Sequence, residues 1–430
     1  MLELRSLTYF RRVVAPSISG PLDTSFWTYL VAQVAQQEPA ARHAVVAISS
    51  LYEHFGNDGQ LKKLRNSQEF ALKHYNSAIK HVLMLSTHNI DTILLVSVLF
   101  VCMEFLRGNA DAAINHLEHG VNVLLSSSAS NPILSAVYHH LSIFPSFFSQ
   151  GSIPGFPLLH HQLNHQFQNL SEAQVTMDWL SSRVIRLVRT ADPYRLGTVS
   201  TPVPQSLTAE QQLLSSDLDS YALAATKVWK TQRIEDLCSL LLKIRWHVCK
   251  IWVSMCFAPD ERIYDEHIGT FKRIVDLAAR ARESPGLDMM RRAKFTFQMG
   301  FCPLLHFVVM KCRNLRLRLA ALALQAQLSC SQEVLWDVAI TNAIGRRMIE
   351  IEHAIELNCK QGVEVEILKD VPQDEPNPPD NQRIRDSVLD EETRVVTDED
   401  GKEIVMRKIR FFVPKEEGGI GILHDWVKLQ

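Results

Sequence analysis

An all-α fold, an irregular multi-helix bundle with a short C-terminal β-hairpin, is what this sequence predicts, and three observations predict it. Apolar residues recur three and four apart through most of residues 26–359, the period of a half-buried α-helix. Residues suited to N-capping stand before several of these runs, with partners placed to complete a capping box. After Gly362 the texture changes to alternating, β-branched segments on both sides of an Asp-Gly pair, the signature of a hairpin. A chain of 430 residues, 46% hydrophobic and 21% charged, is long enough to bury a large core.

In chain order, Leu2–Val14 reads as an amphipathic lead-in broken by Pro16 and the stretch to Pro21. Asp23 or Thr24 caps a helix that puts Phe26, Trp27, Leu30 and Val34 on one side. Glu38–Leu125 follows and organises the rest, as four helices joined by short polar breaks. The first carries Val45, Val46, Ile48 and Leu51. The second carries Ala71, Leu72, Tyr75, Ala78, Ile79 and Val82, opened by Asn66 and Glu69 as a capping box. The third is apolar almost all round from Ile93 to Met103, so it is the buried member. The fourth shows one stripe, Ala113, Leu117, Val121 and Leu124.

Asn131–Pro132 is a cap and first-turn pair for a helix over Ile133–Phe148, and the Gly- and Pro-rich Ser149–Pro157 is a loop. Ser171 with Gln174 opens a helix to about Arg189, and Thr190–Leu207 is a surface connector and soft internal boundary. Further helices are predicted over Thr208 onward (capped with Gln211), Thr231–Phe257, Pro259–Arg282, Phe295–Leu328 with a bend or restart at Pro303, and Ser331–Asn358. No fixed period recurs, so a single bundle is preferred to a repeat solenoid. The domain reading is a helical region over 1–362, an acidic linker over 363–392, and a hairpin and tail over 393–430. Asp370–Glu403 holds 12 acids against 4 bases, a local charge of −8, so the other 396 residues sum to +6 within the total of −2. The hairpin strands are placed near Arg394–Thr397 and Glu403–Val413, packed back on the bundle because an isolated hairpin is marginal.

The chemistry is read mainly by exclusion. The longest apolar run, 11 residues from Ile93 to Met103 interrupted only by Ser97, falls short of the roughly 20 that span a bilayer. Met1–Phe10 has no apolar core of the secretory kind, and eight scattered cysteines suit a reducing compartment. No Cys-x-x-Cys occurs, nor any phosphate-loop, dinucleotide, nucleophile-elbow or His-Glu-x-x-His pattern. Cys249 and Cys256 read as core thiols. His161 and His165 fall four apart, the spacing of two ligands on one helical face, but without a third they read as solvated or capping. Gly418–Gly421 opens no helix and is a poor phosphate site. Lys311, Arg313, Arg316 and Arg318, with Arg291, Arg292 and Lys294 upstream, read as the solvated face of helices, with a nuclear-import or phosphate-contact patch as the functional alternative. The sequence assigns no catalytic, cofactor-binding or metal-ligating residue.

The string EPAARHAVVAISSLYEH, with FWTYLV before it and EFLRGN and AINHLEHGVNVL after it, resembles the regulatory (middle homology) domain of the fungal zinc-cluster (Zn2Cys6) transcription factors. The opening LELRSLTYFRRVVAPSISGPLDTSFW is similar to where that domain begins, and the closing GILHDW is similar again. The likeness covers most of the chain and is strongest over residues 2–125. In that family a six-cysteine binuclear zinc cluster binds DNA near the N-terminus, and a linker and a long helical region follow; the cluster is missing from this sequence.

The resemblance implies a nuclear transcription regulator, not an enzyme, working through coregulators or a zinc-cluster partner. DNA would be reached indirectly or through a missing N-terminal module, with zinc required only by that module. It also implies no membrane association, admits a small-molecule effector, and is compatible with control of secondary metabolism. Two alternatives stand beside it: a truncated form of a complete DNA-binding zinc-cluster factor, and a helical metabolite-binding or scaffold protein that does not bind DNA. An enzyme with a pocket lined by Trp246, His247 or His306 ranks below these, because no nucleophile–base pair is legible.

Overall fold

The computed structural model describes residues 2–21, 25–56, 61–85, 89–127, 131–148, 156–231, 236–357, 376–397, 401, 403–415 and 418–428. Its first part is α1 (Leu2–Tyr9), α2 (Ala15–Ser19), α3 (Val31–Gln37), α4 (Pro39–His54), α5 (Leu61–Leu83), α6 (Ile90–Leu106), α7 (Ala110–Ser126), α8 (Pro132–Leu141) and α9 (Pro145–Phe148). The second is α10 (Leu170–Arg195), α11 (Gln205–Thr231), α12 (Leu237–Met255), α13 (Ile268–Ala281), α14 (Leu287–Arg292), α15 (Phe301–Lys311), α16 (Leu315–Leu328) and α17 (Val338–His353). Short strands β1 (Phe295–Thr296), β2 (Gln332–Glu333) and β3 (Trp336–Asp337) pair in that order, parallel then antiparallel. β4 (Asp386–Thr397), β5 (Glu403–Pro414) and β6 (Ile420–Lys428) form an antiparallel sheet at the C-terminal end.

Helix α6 is the buried member that its composition predicts. Every residue from Leu94 to Leu106 except Ser97 is buried, because an apolar surface on all sides has no face that water would solvate well. The stripe Ala113, Leu117, Val121 and Leu124 of α7 is likewise buried, and Asn109 caps that helix by accepting from the Ala112 N–H. Gly120 lets α8 approach closely: a Cβ there would stand 2.2 Å from the Tyr138 hydroxyl, which itself donates to the Leu94 carbonyl at 3.0 Å. Asn131 caps α8 as its position before Pro132 predicts.

Several boundaries differ from the sequence reading. Pro16 does not break the N-terminal helix. A π-turn over Phe10–Val14 precedes it, so the missing Pro16 N–H is absorbed and the helix runs on to Ser19, ending at Gly20 with φ +61°. Asp23 and Thr24 lie outside the described residues, as do 149–155 of the predicted loop and 363–375 of the acidic linker. α5 begins at Leu61, so Asn66 and Glu69 are interior and open nothing, and Leu72 points to solvent. The helix predicted to Phe148 stops at Leu141, with α9 as a separate turn. The box that opens α10 is Asn169 and Glu172, not Ser171 and Gln174: Asn169 accepts from the Glu172 N–H, and Glu172 accepts from the Gln168 N–H. The connector after α10 shrinks to residues 196–204, because the helix continues through Pro193. α11 opens at Gln205 rather than Thr208, and α12 starts afresh at an Asp236 cap. A 3-10 turn, Glu261–His267, occupies the start of the helix predicted from Pro259. Pro303 sits in the first turn of α15, a restart, as its lack of an N–H allows. The long helix predicted from Ser331 starts only at Val338, after β2 and β3.

The C-terminal hairpin is a three-stranded sheet. β4 starts at Asp386, inside the predicted linker, and β6 runs through Gly421 to Lys428 after a turn in which Gly418 and Gly419 take φ of +90° and +80°. It packs back on the bundle as predicted: Ile384, Ile409, Phe411 and Val427 bury against Ile344 and Met348 of α17. The main core joins α2–α8 to α12, α13, α15 and α16, and a second one gathers Phe167 with α10, α11 and α12.

Candidate functional site

Two buried features stand out between the helical layers. The first is a cavity of about 320 Å³ walled by Trp27, Ile133, Ala136, Val137 and Phe297, with His140, His161, Thr176 and Gln298 at its polar side. His140 is buried, and its Nε2 has no hydrogen-bond partner among the described residues. Its Nδ1 lies 3.4 Å from Asp178 Oδ1, and the same carboxylate oxygen pairs with the buried Arg245. Burial alone would push the Asp178 carboxyl up, but His140 and Arg245 outweigh it and hold it below the ordinary range. His161 Nε2 meets Thr176 Oγ1 at 2.9 Å. That hydroxyl donates to the Glu172 carbonyl at 3.0 Å, so it accepts from His161 rather than being activated by it. The chemistry on offer is recognition: apolar walls and one imidazole edge with a free polar atom, backed by a fixed carboxylate.

The second feature is an ion cluster where α10, α15, α16 and α17 converge. Glu261 pairs with Lys311, with Arg313 at 2.8 Å and with Arg195 at 3.6 Å. Glu352 pairs with Arg313 at 3.1 Å and with Arg318. Into this cluster runs the strip 378–386. Ile384 N–H donates to Glu352 at 2.6 Å, Lys311 Nζ donates to the Arg385 carbonyl at 2.7 Å, and Arg313 donates to the Ile384 carbonyl at 2.9 Å. Arg383 grips Asp265 at 2.6 Å and Arg385 grips Asp380 at 2.8 Å. Burial pushes Lys311 down to about 8 despite the pull of Glu261. Burial would raise Glu261, but Lys311 and Arg313 overcome it and hold it at about 2.

Three members of the basic cluster read from the sequence are therefore neither a solvated face nor a phosphate patch, whereas Arg291 and Arg292 are exposed as a solvated face predicts. Lys311, Arg313 and Arg318 are all buried and committed to carboxylates. Their apolar neighbours drew the helix registers, but the acidic partners lie 34 to 52 residues away, where local spacing carries no signal. Cys249 and Cys256 are buried thiols pushed up to about 12 by burial, as their apolar helix predicts. His161 and His165 share no helical face, because residues 156–169 are irregular, and His165 is exposed. Trp246 and His247 line one cavity and His306 another, so the three do not form one site. Trp246 donates to the Leu218 carbonyl at 2.8 Å, and burial holds His247 and His306 at about 4. One grouping was not read from the sequence at all: Glu3, His43 and His74, from α1, α4 and α5, lie together. No helix among the described residues is long and apolar enough to cross a membrane.

A mostly helical bundle that carries a largely apolar cavity and, separately, a charge-anchored C-terminal sheet suits a regulatory or binding domain. The chain belongs to the family of the fungal specific transcription factor domain, whose model matches residues 5–222. It is similar to the aspercryptin biosynthesis cluster-specific transcription regulator of Emericella nidulans, 25% identical over 329 residues that make up 69% of this chain and 53% of that protein. The chain thus spans about half the length of the curated relative it matches. No solved structure matches it.

Proposed function

We propose that this chain is the helical regulatory part of a fungal transcription regulator, located in the nucleus and acting through coregulators. The observation that carries the reading is the family match over residues 5–222, which spans α1 to most of α11. DNA is reached through a zinc-cluster module, in the same protein or on a partner. Two facts support that division: the formal net charge of −2, and the burial of Lys311, Arg313 and Arg318, three of the basic residues that might have met phosphate. Little counterion-release affinity is then left for DNA. The part played here is regulatory rather than enzymatic. The His140 cavity supports a small-molecule effector, largely apolar and with one polar group for the imidazole. By the relative's name, genes of a biosynthesis cluster are the proposed targets.

The test pairs a DNA titration of the purified chain with its location in fungal cells. The expected result is weak, salt-sensitive, sequence-indifferent binding, together with nuclear enrichment and co-purification with coregulators. Tight and sequence-selective binding at physiological salt would overturn the division of labour, and exclusion from the nucleus would overturn the reading itself.

A further inference from the structure

Helix α1 rests on the main core through the partly buried Leu7 and Tyr9. None of its eight residues is fully buried, and polar contacts to α4 hold it: Arg5 pairs with Glu53, and Ser49 Oγ donates to the Ser6 carbonyl at 3.0 Å. At its first turn a third contact stands apart in kind. His43 of α4 and His74 of α5 face each other, Nδ1 to Nδ1, at 2.9 Å. At that separation one ring donates and the other accepts, so at least one imidazole is neutral and directs a lone pair into the gap. Glu3 Oε1 lies 3.8 Å from the other ring nitrogen of His74. Phe70 packs on His74 and His81 stacks on His43, with ring centroids 4.5 and 5.4 Å apart, which limits how far either imidazole can turn.

We propose that Glu3, His43 and His74 form a binding site for a zinc-class divalent cation that pins α1 to the α4–α5 pair. One donor atom from each residue lies within 4.8 Å of the other two. Ligands around a four-coordinate zinc at roughly 2.0–2.2 Å sit about 3.3–3.5 Å from one another, so modest side-chain rotation closes the set. Two imidazoles and one carboxylate suit zinc and its borderline neighbours, whereas magnesium and calcium take oxygen ligands. Glu3 is more than half exposed, so an ion enters from solvent, and water completes the fourth position. The ligands come from positions 3, 43 and 74, which is why local spacing could not announce them. The site is a staple on a helix that already packs by other contacts, so folding does not depend on it.

The experiment uses the full chain stripped of metal and titrated with Co²⁺, then Zn²⁺, reading visible ligand-field absorption and calorimetric heat. The expected result is one saturable equivalent of Co²⁺ with ligand-field bands, displaced by one equivalent of Zn²⁺, and slower hydrogen exchange in α1 when loaded. His43→Gln and His74→Gln are expected to abolish the signal. Glu3→Gln, a change at an exposed residue that leaves the fold intact, is expected to weaken binding by about 10-fold or more, since even outer partners of metal sites matter that much. Absence of a saturable equivalent in the parent chain overturns the proposal. So does binding indifferent to all three substitutions, which would place the ion among the other histidines. Parent affinity retained in Glu3→Gln would remove the carboxylate from the site, and with it the staple on α1.

Discussion

Helices α6 and α7 meet through apolar stripes, Leu117, Val121 and Leu124 of α7 lying in the same core as Phe100 and Leu106 of α6. The strip 378–386 meets the bundle quite differently, with Arg383, Arg385 and several backbone groups seated among Glu261, Glu352, Lys311 and Arg313. The two contacts use different physics for different ends. Apolar burial adds stability in proportion to area, about 1.5–3 kcal/mol for a fully buried large side chain, but it is not directional. A buried ion cluster adds little net stability over a well-packed apolar one, yet breaking one partner is costly because the others are stranded. It tolerates one arrangement and penalises near misses. In this molecule the directional device sits where a sheet of separate texture must be set on a helical body in one register.

The sharpest way to break that comparison is Glu352→Gln. It removes the carboxylate that pairs with Arg318 and one of the two that pair with Arg313, and it weakens the acceptor for the Ile384 N–H. The expected loss is about 3–5 kcal/mol by urea unfolding, and limited proteolysis should cut within the C-terminal sheet before it cuts the helices. A loss under about 1 kcal/mol would reduce the cluster to the worth of surface pairs.

Leu117→Ala tests the other side. Leu117 is 1% exposed, and its truncation is expected to cost about 2–5 kcal/mol, depending on how far the cavity collapses. Unlike the first variant, it should leave the sheet's protease resistance in step with global unfolding. Early release of the sheet in this variant would mean that the two regions are one energetic unit.

This contrast also explains what could be read from the residues. The stripe of α7, the all-round apolarity of α6, the Asn131 cap and the existence of a C-terminal hairpin each depend on neighbours within a few positions, and each was legible. The ion cluster was not, because a buried Arg and a solvated Arg look alike until the distant carboxylate is known. Lys311, Arg313 and Arg318 read as a face, and only Glu261, 50 residues before Lys311, and Glu352 turn them inward. β6 was missed because Gly418, Gly419 and Gly421 dilute its alternation, although Ile422, Leu423, Trp426 and Val427 carry the strand. The His140 cavity has no local signature either: its walls come from α8, α10, the segment before α3 and the chain around β1.

A finer test sets two buried glutamates against each other. Glu261, with Lys311 and Arg313 around it, is held at about 2 although burial opposes this. Glu333 is equally buried but pairs with no cation among the described residues; its Oε2 accepts from the Gly300 and Cys302 N–H groups, at 3.1 and 2.8 Å, at the start of α15. Those amide donors favour the anion, but burial outweighs them and pushes the carboxyl up to about 7. The two therefore act on stability with opposite signs. Glu261 binds protons less readily folded than unfolded, so its contribution is present above pH 4.5 and is lost as pH falls toward 2. Glu333 keeps its proton in the folded chain after the unfolded chain has released it, so its contribution declines as pH rises from 4.5 to 7. The slope at mid-window is about 1 kcal/mol per pH unit, one proton's worth. Glu333→Gln, which keeps an acceptor for the two amides, should flatten the parent's urea-stability profile between pH 4.5 and 7 while leaving the steep acid limb below it. Parallel profiles for parent and variant across that window would show that the α15 amide donors outweigh burial after all. Glu333 would then be an ordinary anion at a helix terminus, and a fixed cation would not be what separates the two glutamates.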